Sequence, residues 1–394
     1  MNWGELRMRY LSAGESHGPC LVAIIEGLPS NLKLDRKKIN EQLARRQKGY
    51  GRGGRMKIER DQVEVFSGLR FGKTLGSPLT LSITNRDFEN WRSNMDPYEG
   101  TDGAGDILTR PRPGHADLAG ALKYHHGDLR NVLERASARE TAIRVAVGST
   151  AQQMLTCFGI EVFSHVVEIG GVKGDGPLNL SPEELHRRAE ESPVRCADPG
   201  VEEQMIREID RAKEGGDSLG GVFQIMVTGV PPGLGSHVHW DRKIDGRLAG
   251  ALMSLQAIKG VELGLGFEAA SLRGSQVHDE IYYDNSNYKY FRKTNGAGGI
   301  EGGLTNGETI LIQCAMKPIP TLYKPLTSVD MITKESLEAG VERSDVCAVP
   351  AASVAGEAIV AWEIACGFRE KFGGDSLEEM ESAYHNYLKT MAGR

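Results

Sequence analysis

The sequence predicts an α+β protein built as one integrated domain with an internal repeat. Strand and helix patterns are interspersed along all 394 residues, and no low-complexity tract or linker separates them. Two stretches resemble each other: residues 24–44, IIEGLPSNLKLDRKKINEQLA, and residues 225–250, IMVTGVPPGLGSHVHWDRKIDGRLAG. Each predicts a strand, a Gly-Leu-Pro or Gly-Val-Pro turn, a short second strand and a helix that opens at Asp-Arg-Lys. We interpret them as a duplicated β-β-α unit, with two halves related by a pseudo-two-fold axis.

In the first half, strands are predicted at residues 21–25, 63–66 and 79–83, where short apolar runs are bounded by turn residues. Asp35 is a good N-cap for a helix that continues to about Gln47. A long helix is predicted from Asp128 to about Phe158, with Gly159 in the C′ position. Residues 1–7 precede the first patterned segment, so we predict an N-terminal extension before a single domain of residues 8–394.

The second half repeats this alternation. Strands are predicted at residues 161–169, 222–227, 261–267 and 310–316. Two polar helices with caps at Ser181 and Asp198 are predicted within residues 181–215. Further helices are predicted at residues 241–258, 351–372 and 376–391, and residues 271–307 have the glycine-rich composition of functional loops.

Composition excludes several classes of protein. A net charge of −6 argues against a nucleic-acid-binding surface over the whole molecule, and no apolar run approaches the length of a membrane span. The six cysteines are far apart with no C-x-x-C pair, which is typical of reduced thiols in a cytoplasmic protein. No spacing of histidines and carboxylates supports a metal site, and neither a P-loop nor a Rossmann glycine motif is present.

The arginines indicate an anionic ligand. Arg135 and Arg139 are four residues apart, so they are predicted to share one face of a helix that is apolar on most sides. Buried guanidinium groups need anionic partners, and the spacing of Glu134 and Glu140 does not match both. The alternative is that each arginine pairs with a surface acid. Further arginines lie on glycine-rich or proline-rich loops or near the C-terminal helices: Arg45, Arg46, Arg52, Arg55, Arg110, Arg112 and Arg343. We predict a ligand with more than one anionic group, because the planar fork of arginine suits phosphate and carboxylate.

Two histidines are candidates for chemistry. His17 lies in the tight GESHG turn, and His115 lies between a Pro-Gly turn and the start of a helix. A histidine held at a turn can present its ring to a cleft. The other eight histidines are predicted to be structural or solvated.

Nine long motifs in order resemble those of the chorismate synthase family. They are SAGESHGP (12–19), RRQKGYGRGGRMKIE (45–59), RPRPGHADL (110–118), LERASARETA (133–142), GDSLGGV (216–222), KGVELGLGFEAA (259–270), GGIEGGLTNG (298–307), MKPIPTL (316–322) and ERSD (342–345). The resemblance covers essentially the whole chain. It implies a β-α-β sandwich with helices packed between two largely antiparallel sheets, and a homotetramer.

The resemblance also implies an activity. Members convert 5-enolpyruvylshikimate 3-phosphate to chorismate and phosphate by a 1,4-anti elimination, the last step of the shikimate pathway. The reaction requires reduced FMN, which is thought to donate an electron transiently and regain it, so there is no net redox change. NADPH is a possible reductant of the flavin.

Residue roles follow from the same motifs. His17 matches the histidine proposed to protonate the leaving phosphate, His115 the histidine proposed to protonate the reduced flavin near N1, and Asp345 the carboxylate proposed to act through flavin N5 in removing the C6 proton. The residues that match substrate contacts are Arg46, Arg52, Arg55, Arg112, Arg139 and Arg343, of which Arg46 and Arg52 also match NADPH contacts. The residues that match FMN contacts are Arg135, Ala136, Ser137, Gln256, Ala257, Gly302, Lys317, Pro318, Ile319, Pro320, Thr321 and Arg343.

Two other functions stay open from the residues alone. GYGRGGR (residues 49–55) resembles the RGG segments of RNA-binding proteins, although few aromatic residues accompany it. The other is a flavoprotein oxidoreductase with net hydride transfer, which would consume NADPH in stoichiometric amounts when substrate is present.

Overall fold

The computed structural model describes residues 8–53, 60–98, 107–174, 180–286, 288–341 and 344–393. The predicted extension at residues 1–7, together with Arg55 and Arg343, lies outside the described residues. The elements of the first half are β1 (Arg9–Ala13), β2 (Cys20–Glu26), α1 (Arg36–Gln47), β3 (Val63–Ser67), β4 (Leu69–Arg70), β5 (Lys73–Thr74), β6 (Leu79–Thr84), α2 (Asp117–Tyr124), α3 (Arg130–Ala136) and α4 (Thr141–Thr156).

The elements of the second half follow. They are β7 (Glu161–Ile169), β8 (Val172–Lys173), α5 (Pro182–Glu191), α6 (Pro199–Glu214), β9 (Gly221–Thr228), α7 (Ile244–Met253), β10 (Ile258–Leu263), α8 (Gly274–Val277), β11 (Ile281–Asp284), β12 (Lys289–Arg292), β13 (Ile300–Glu301), β14 (Leu304–Thr305), β15 (Ile310–Met316), β16 (Thr327–Val329), β17 (Ser336–Glu338), α9 (Val349–Phe372) and α10 (Leu377–Ala392).

Two antiparallel sheets enclose a layer of helices. The first sheet has the strand order β1-β2-β6-β3, and the second has the order β10-β15-β9-β7-β8. Helix α4 packs on β2 and β6 of the first sheet, while α9 packs on β7 and β9 of the second. Because α4 and α9 also pack on each other, the architecture is the expected β-α-β sandwich of an α+β fold.

The crossing of α4 and α9 is close because a glycine permits it. A Cβ on Gly148 of α4 would lie 2.3 Å from the backbone oxygen of Ala358 on α9. Small residues on α9 and its apolar surface on every side allow the helix to be buried along nearly its whole length. By length and composition α9 could cross a membrane, but 94% of its most apolar 18-residue window is buried inside the protein, and core helices also meet this criterion.

The predicted repeat is present in the topology. Elements β1, β2, α1, β3, β6 and α4 recur as β7, β9, α7, β10, β15 and α9, and the two sheets contain the equivalent strands in the same order. The matching sequences begin in β2 and β9 and lead into α1 and α7. The predicted short second strands are reduced to single bridge pairs at Ser30, Lys33 and Gly235. The fold is therefore two copies of one layered unit whose helices meet in the middle.

The long helix predicted from Asp128 to about Phe158 is wrong in its first half. Ser137 adopts an extended conformation (φ −63°, ψ 143°), and its hydroxyl accepts a hydrogen bond from the backbone N–H of Arg139, as an N-cap does. The chain therefore breaks between α3 and α4. As a result, Arg135 and Arg139 do not share one helix face, contrary to the prediction from their spacing.

Two other boundaries differ from prediction. The helix predicted at residues 241–258 is α7, which begins only at Ile244 and ends at Met253. The strand predicted at residues 261–267 is β10, displaced toward the N-terminus to Ile258–Leu263. A short 3-10 helix over Gly266–Ser271 occupies the end of the range predicted as a strand. This helix begins at Gly266, whose left-handed backbone conformation is incompatible with an extended strand.

A buried ionic network ties α1 and α9 to the second sheet. Glu357 of α9 has no exposed side-chain surface, and its carboxylate accepts hydrogen bonds from Arg45 at 2.7 Å and from Arg195 at 2.9 Å. Ser164 of β7 donates to the same carboxylate. These contacts fix the C-terminal end of α1, which is where the loop that carries Arg52 begins.

We expect Glu357→Gln to lower the free energy of unfolding by about 3–5 kcal/mol, because Arg45 and Arg195 lose their fully buried carboxylate partner and keep only the partly exposed Glu190. Urea denaturation followed by circular dichroism measures this value. The matched control is Glu191→Gln, which removes an exposed carboxylate paired with Arg187 and should change stability by less than about 0.5 kcal/mol. Equal values for the two variants would contradict a stabilising role for the buried network.

Candidate active site

The GESHG turn after β1 holds His17 against a buried carboxylate. Glu134 of α3 accepts a hydrogen bond from the backbone N–H of His17 at 2.8 Å, and its Oε1 lies 2.9 Å from His17 Nδ1. The imidazole packs against Trp91 with ring centroids 4.2 Å apart and ring planes tilted by 31°. Asn85 secures the turn by donating to the backbone oxygens of Glu15 and Gly18. As predicted, a turn holds His17. Its ring partners, Glu134 and Trp91, come from distant parts of the sequence.

Arg139 lies deep beside this turn. Its Nη1 donates to both carboxylate oxygens of Asp61, at 2.7 and 2.8 Å, and its Nε donates to Asn85. The carboxylates nearest in sequence, Glu134 and Glu140, are not spaced to pair with both Arg139 and the preceding arginine, and a ligand was therefore predicted as an anionic partner. Asp61, a buried residue 78 positions away, supplies that partner, so a ligand does not have to neutralise Arg139 alone.

Arg46, at the end of α1, approaches the same carboxylate. Its Nη1 lies 3.7 Å from Asp61 Oδ2, and its other guanidinium nitrogens donate to Thr141 and to the backbone oxygen of Ala138. Burial lowers the pKa of the Arg46 guanidinium; Asp61 opposes this effect, while the positive charges of Arg139 and Arg52 add to it. Arginine nevertheless stays protonated at neutral pH. Arg46 therefore lies in a local excess of positive charge.

Asp345 faces the same group of arginines from the segment before α9. Arg52 Nη1 lies 2.8 Å from Asp345 Oδ2, and the backbone N–H of Gly53 donates to Asp345 Oδ1 at 2.6 Å. The backbone oxygen of Gly51 accepts a hydrogen bond from Val346 N–H. The loop after α1 and the segment before α9 are thus joined at Asp345.

His115 belongs to a second carboxylate-centred group. Asp117 accepts hydrogen bonds from Arg112 Nε at 2.9 Å and from Arg112 Nη2 at 3.1 Å, and it also contacts His115 Nδ1. Burial acts to raise the pKa of the Asp117 carboxyl, but hydrogen bonds from His115 and Arg112 outweigh it and hold that pKa below its usual range. The His115 imidazole and the Arg112 guanidinium therefore lie side by side against the ionised carboxylate of Asp117.

The KPIPT segment connects the two groups. Arg112 Nη1 donates to Thr321 Oγ1, and the backbone oxygen of Thr321 accepts from Ser344 Oγ, one residue before Asp345. Lys317 Nζ donates to the backbone oxygen of Gly114, next to His115. These contacts and the ones above link the three predicted catalytic residues with four of the predicted arginines: His17, His115, Asp345, Arg46, Arg52, Arg112 and Arg139.

Most of the predicted flavin contacts form a neighbouring group. Arg135 donates to Ser12 Oγ and to the backbone oxygens of Ser12 and Gly14, and Ser12 in turn donates to Glu140. Gln256 donates to Glu140 at 3.3 Å, and the backbone oxygen of Ala257 accepts from Lys317 N–H. The predicted contacts Ala136 and Ser137 end α3, whereas Pro318, Ile319 and Pro320 follow Lys317.

Two observations bear on whether this group fits a flavin. Gln256 Oε1 is buried and accepts no hydrogen bond from the described residues, and a flavin ring carries N–H donors that match such an acceptor. Burial and the nearby Lys259 lower the pKa of the Lys317 ammonium, as expected for a cation in a basic site. The contacts described above do not include Gly302, which lies in the turn between β13 and β14. The backbone oxygen of Gly303 in this turn accepts a hydrogen bond from the N–H of Ile244, the first residue of α7.

Several side chains of the site had not been predicted from the sequence. The carboxylates Glu134, Asp117 and Asp61 hold His17, His115 and Arg139, and Trp91 and Asn85 shape the turn around His17. Asp117, two residues after His115, had a signal in sequence spacing, since a carboxylate so close to a turn histidine can reach its ring. The others had none, because they come from distant segments. Arg130 and Arg144 pair with Glu134 and Glu140, respectively.

The arrangement suits a polyanionic substrate. Arg46, Arg52 and Arg139 carry three positive charges against the two negative charges of Asp61 and Asp345, which leaves a local excess of one. Two imidazoles on ionised carboxylates add groups that can transfer protons. Within the described part of the chain, no three His, Cys, Asp or Glu side chains are placed to hold a metal ion.

Comparison with known proteins identifies one family. A family model described as chorismate synthase matches residues 8–368. The chorismate synthase of Geobacter metallireducens is 60% identical over 387 residues, covering 97% of this chain and 98% of its relative. That of Symbiobacterium thermophilum is 58% identical over 392 residues, covering 98% of this chain and 100% of its relative. A crystal structure of a chorismate synthase superposes with a TM-score of 0.80 at 45% identity, covering 98% of this chain and 99% of the other.

Proposed function

Because this chain belongs to the chorismate synthase family of carbon–oxygen lyases in aromatic biosynthesis, we propose that it converts 5-enolpyruvylshikimate 3-phosphate to chorismate. In this 1,4-anti elimination the C3–O bond to phosphate breaks and the C6 proton is lost. One new double bond forms, and the substrate undergoes no net oxidation or reduction.

The observation that carries the proposal is the shared site of arginines and histidines. Arg46, Arg52 and Arg139 converge with an excess of positive charge, next to two imidazoles that are each held by an ionised carboxylate. The substrate carries one phosphate and two carboxylates, and bidentate guanidinium contacts are the usual means of binding such groups. We propose Arg112, Arg55 and Arg343 as further substrate contacts.

His17 is the proposed acid for the leaving phosphate. A protonated phosphate is a better leaving group than the dianion, so an imidazolium beside the breaking bond lowers the barrier. The turn and Glu134 hold the ring in place before the substrate binds, so no reorganisation is needed at the moment of reaction.

His115 and Asp345 have the other two proposed proton roles. Asp117 and Arg112 orient the His115 ring, so its proton can be offered to the flavin side of the site. The Asp345 carboxylate, held by Arg52 and Gly53 N–H, is the proposed final acceptor of the C6 proton.

Reduced FMN is the proposed cofactor, and when bound it supplies an electron that the reaction returns. The residues proposed to hold it are Arg135, Ala136, Ser137, Gln256, Ala257, Gly302, Lys317, Pro318, Ile319, Pro320, Thr321 and Arg343. Two features support these residues as the flavin site. The buried acceptor Gln256 Oε1 matches the N–H donors of the flavin ring, and the cations Arg135 and Lys317 match its phosphate.

We also propose a cytoplasmic homotetramer in which NADPH reduces the flavin at Arg46 and Arg52. Arg46 is only 4% exposed, so NADPH would reach its guanidinium only if the side chains that bury it shift.

Asp345→Asn should slow turnover roughly 10- to 100-fold while flavin binding is preserved. Asparagine keeps an acceptor for Gly53 N–H but cannot take up a proton at neutral pH. Steady-state kinetics and flavin titration measure the two quantities. Asp241→Asn, at an exposed carboxylate that pairs with His239, is the matched control and should be active. A fully active Asp345→Asn enzyme would remove Asp345 from the mechanism.

Redox balance separates the proposed elimination from an oxidoreductase. With excess flavin kept reduced under nitrogen, NADPH consumption should not rise with the amount of chorismate formed, because no net electrons reach the substrate. An oxidoreductase would instead consume one NADPH for each product molecule. A one-to-one ratio would overturn the proposed function.

A further inference from the structure

Glu134 differs from the other carboxylates of the site in how it holds a histidine. Its backbone oxygen accepts a hydrogen bond from Ser16 N–H at 3.0 Å, and its carboxylate accepts one from His17 N–H at 2.8 Å. The same carboxylate contacts His17 Nδ1 through both oxygens, at 2.9 and 3.1 Å. One residue thus fixes the backbone and the ring of His17 together.

We propose that Glu134 is a positioning residue that keeps the proton on Nδ1 of His17, so that Nε2 is the nitrogen that exchanges a proton with the substrate. The inference rests on the proposed function only for the identity of the group that receives the proton. The tautomer itself is a property of the protein.

Burial and charge explain why the carboxylate determines the tautomer. The Glu134 side chain is 3% exposed. Burial acts to raise its pKa, but hydrogen bonds and charge from His17, together with the charge of Arg130, lower the pKa below its usual value. An ionised buried carboxylate can only accept hydrogen bonds. The Nδ1 atom of His17 faces this carboxylate and must therefore carry a hydrogen, because a lone pair on Nδ1 would repel the lone pairs of the carboxylate oxygens.

Trp91 keeps the ring from turning over. The indole packs against the His17 imidazole with ring centroids 4.2 Å apart and ring planes tilted by 31°, and the guanidinium carbon of Arg130 lies 4.8 Å from the indole centroid. Arg130 Nη1 is also 3.6 Å from Glu134 Oε1. A half-turn of the imidazole would place a C–H group against the carboxylate, so the ring is held between α3 and Trp91 in one orientation.

This arrangement suits a general acid. When the imidazolium gives up its Nε2 proton, the neutral ring that remains is the Nδ1–H tautomer, which still donates to Glu134. The buried carboxylate therefore keeps its hydrogen bond before and after the transfer, and no charged group is left unpaired during the step.

Nitrogen-15 NMR of histidine-labelled protein tests the tautomer without substrate or flavin. The His17 signals are assigned from their loss in His17→Ala, at a pH where the ring is neutral. We expect the Nδ1–H form in the unaltered protein and a majority of the Nε2–H form in Glu134→Gln. His165, which contacts Gln224 on the second sheet, is the internal control and should not change. An Nε2–H tautomer in the unaltered protein would overturn the proposal, even if the variant did not fold.

Kinetics test whether the tautomer matters for catalysis. Glu134→Gln should lower kcat roughly 10- to 100-fold, with KM changed less than about threefold, because the ring is misdirected while the arginines still bind substrate. Glu134→Asp keeps the charge and should recover part of the loss. Full activity of Glu134→Gln in an assay where the unaltered enzyme releases phosphate would refute this inference alone. Absence of phosphate release from the unaltered enzyme would refute the proposed function alone.

Discussion

Replacement of His17 by alanine is expected to lower kcat by roughly 10²–10⁴-fold, the range typical for loss of a general acid. The imidazole is the group proposed to protonate the departing phosphate, and without it the dianion must leave. Flavin affinity should be unchanged, because the predicted flavin contacts are tied together through Glu140 and Ala257 rather than through His17. The fold should persist, since Glu134 still accepts from the backbone N–H of residue 17 and lies near Arg130.

Phosphate release and flavin titration measure these two outcomes separately. His385→Ala is the matched control, because His385 is an exposed histidine of α10 whose ring lies against the backbone oxygen of Glu381 and Tyr384 of the same helix. A His17→Ala enzyme with near-normal kcat would show that the phosphate leaves without this acid.

The second large effect is expected at His115. His115→Ala should lower kcat by roughly 10²–10³-fold with flavin still bound. The Asp117 carboxylate keeps its two hydrogen bonds from the Arg112 side chain, so removal of the imidazole does not leave a buried charge without a partner. The loss can therefore be assigned to the missing ring rather than to a collapsed loop.

Arg112→Lys separates the substrate-binding role proposed for Arg112 from the proton-transfer role proposed for His115. Lysine keeps the positive charge but cannot bond Asp117 in a fork and reach Thr321 at the same time. We expect this variant to raise KM, whereas His115→Ala should change mainly kcat. If His115→Ala raised KM without lowering kcat, its proposed proton role would be wrong and a substrate-binding role would replace it.

The periodicity of apolar residues predicted most elements of the fold. Strands β7 and β15 match their predicted ranges, and Asp35, Ser181, Asp198 and Ser376 cap the helices that follow them. The repeat was detectable because its turn and helix-start residues are conserved between the two halves of this chain. The break at Ser137 was missed because apolar periodicity continues through it, and only the Ser137 hydroxyl, which caps the 3-10 turn Ala138–Glu140 before α4, marks the interruption.

The site could be predicted only in part. Turns present His17 and His115, and this is visible in local sequence. The carboxylates that hold His17 and Arg139 could not be foreseen, because Glu134 lies 117 residues from His17 and Asp61 lies 78 residues from Arg139. Such pairings depend on how the sheets and helices pack. Sequence alone therefore indicated the need for negative charge around the arginines, but attributed too much of it to a ligand.

The most direct test of the account is an anaerobic assay of phosphate release from 5-enolpyruvylshikimate 3-phosphate with photoreduced FMN. A folded enzyme supplied with flavin in catalytic amounts should release one phosphate for each chorismate formed, over many turnovers, and the flavin should be reduced at the end. No phosphate release, or release that stops after one equivalent of flavin is oxidised, would contradict the central claim.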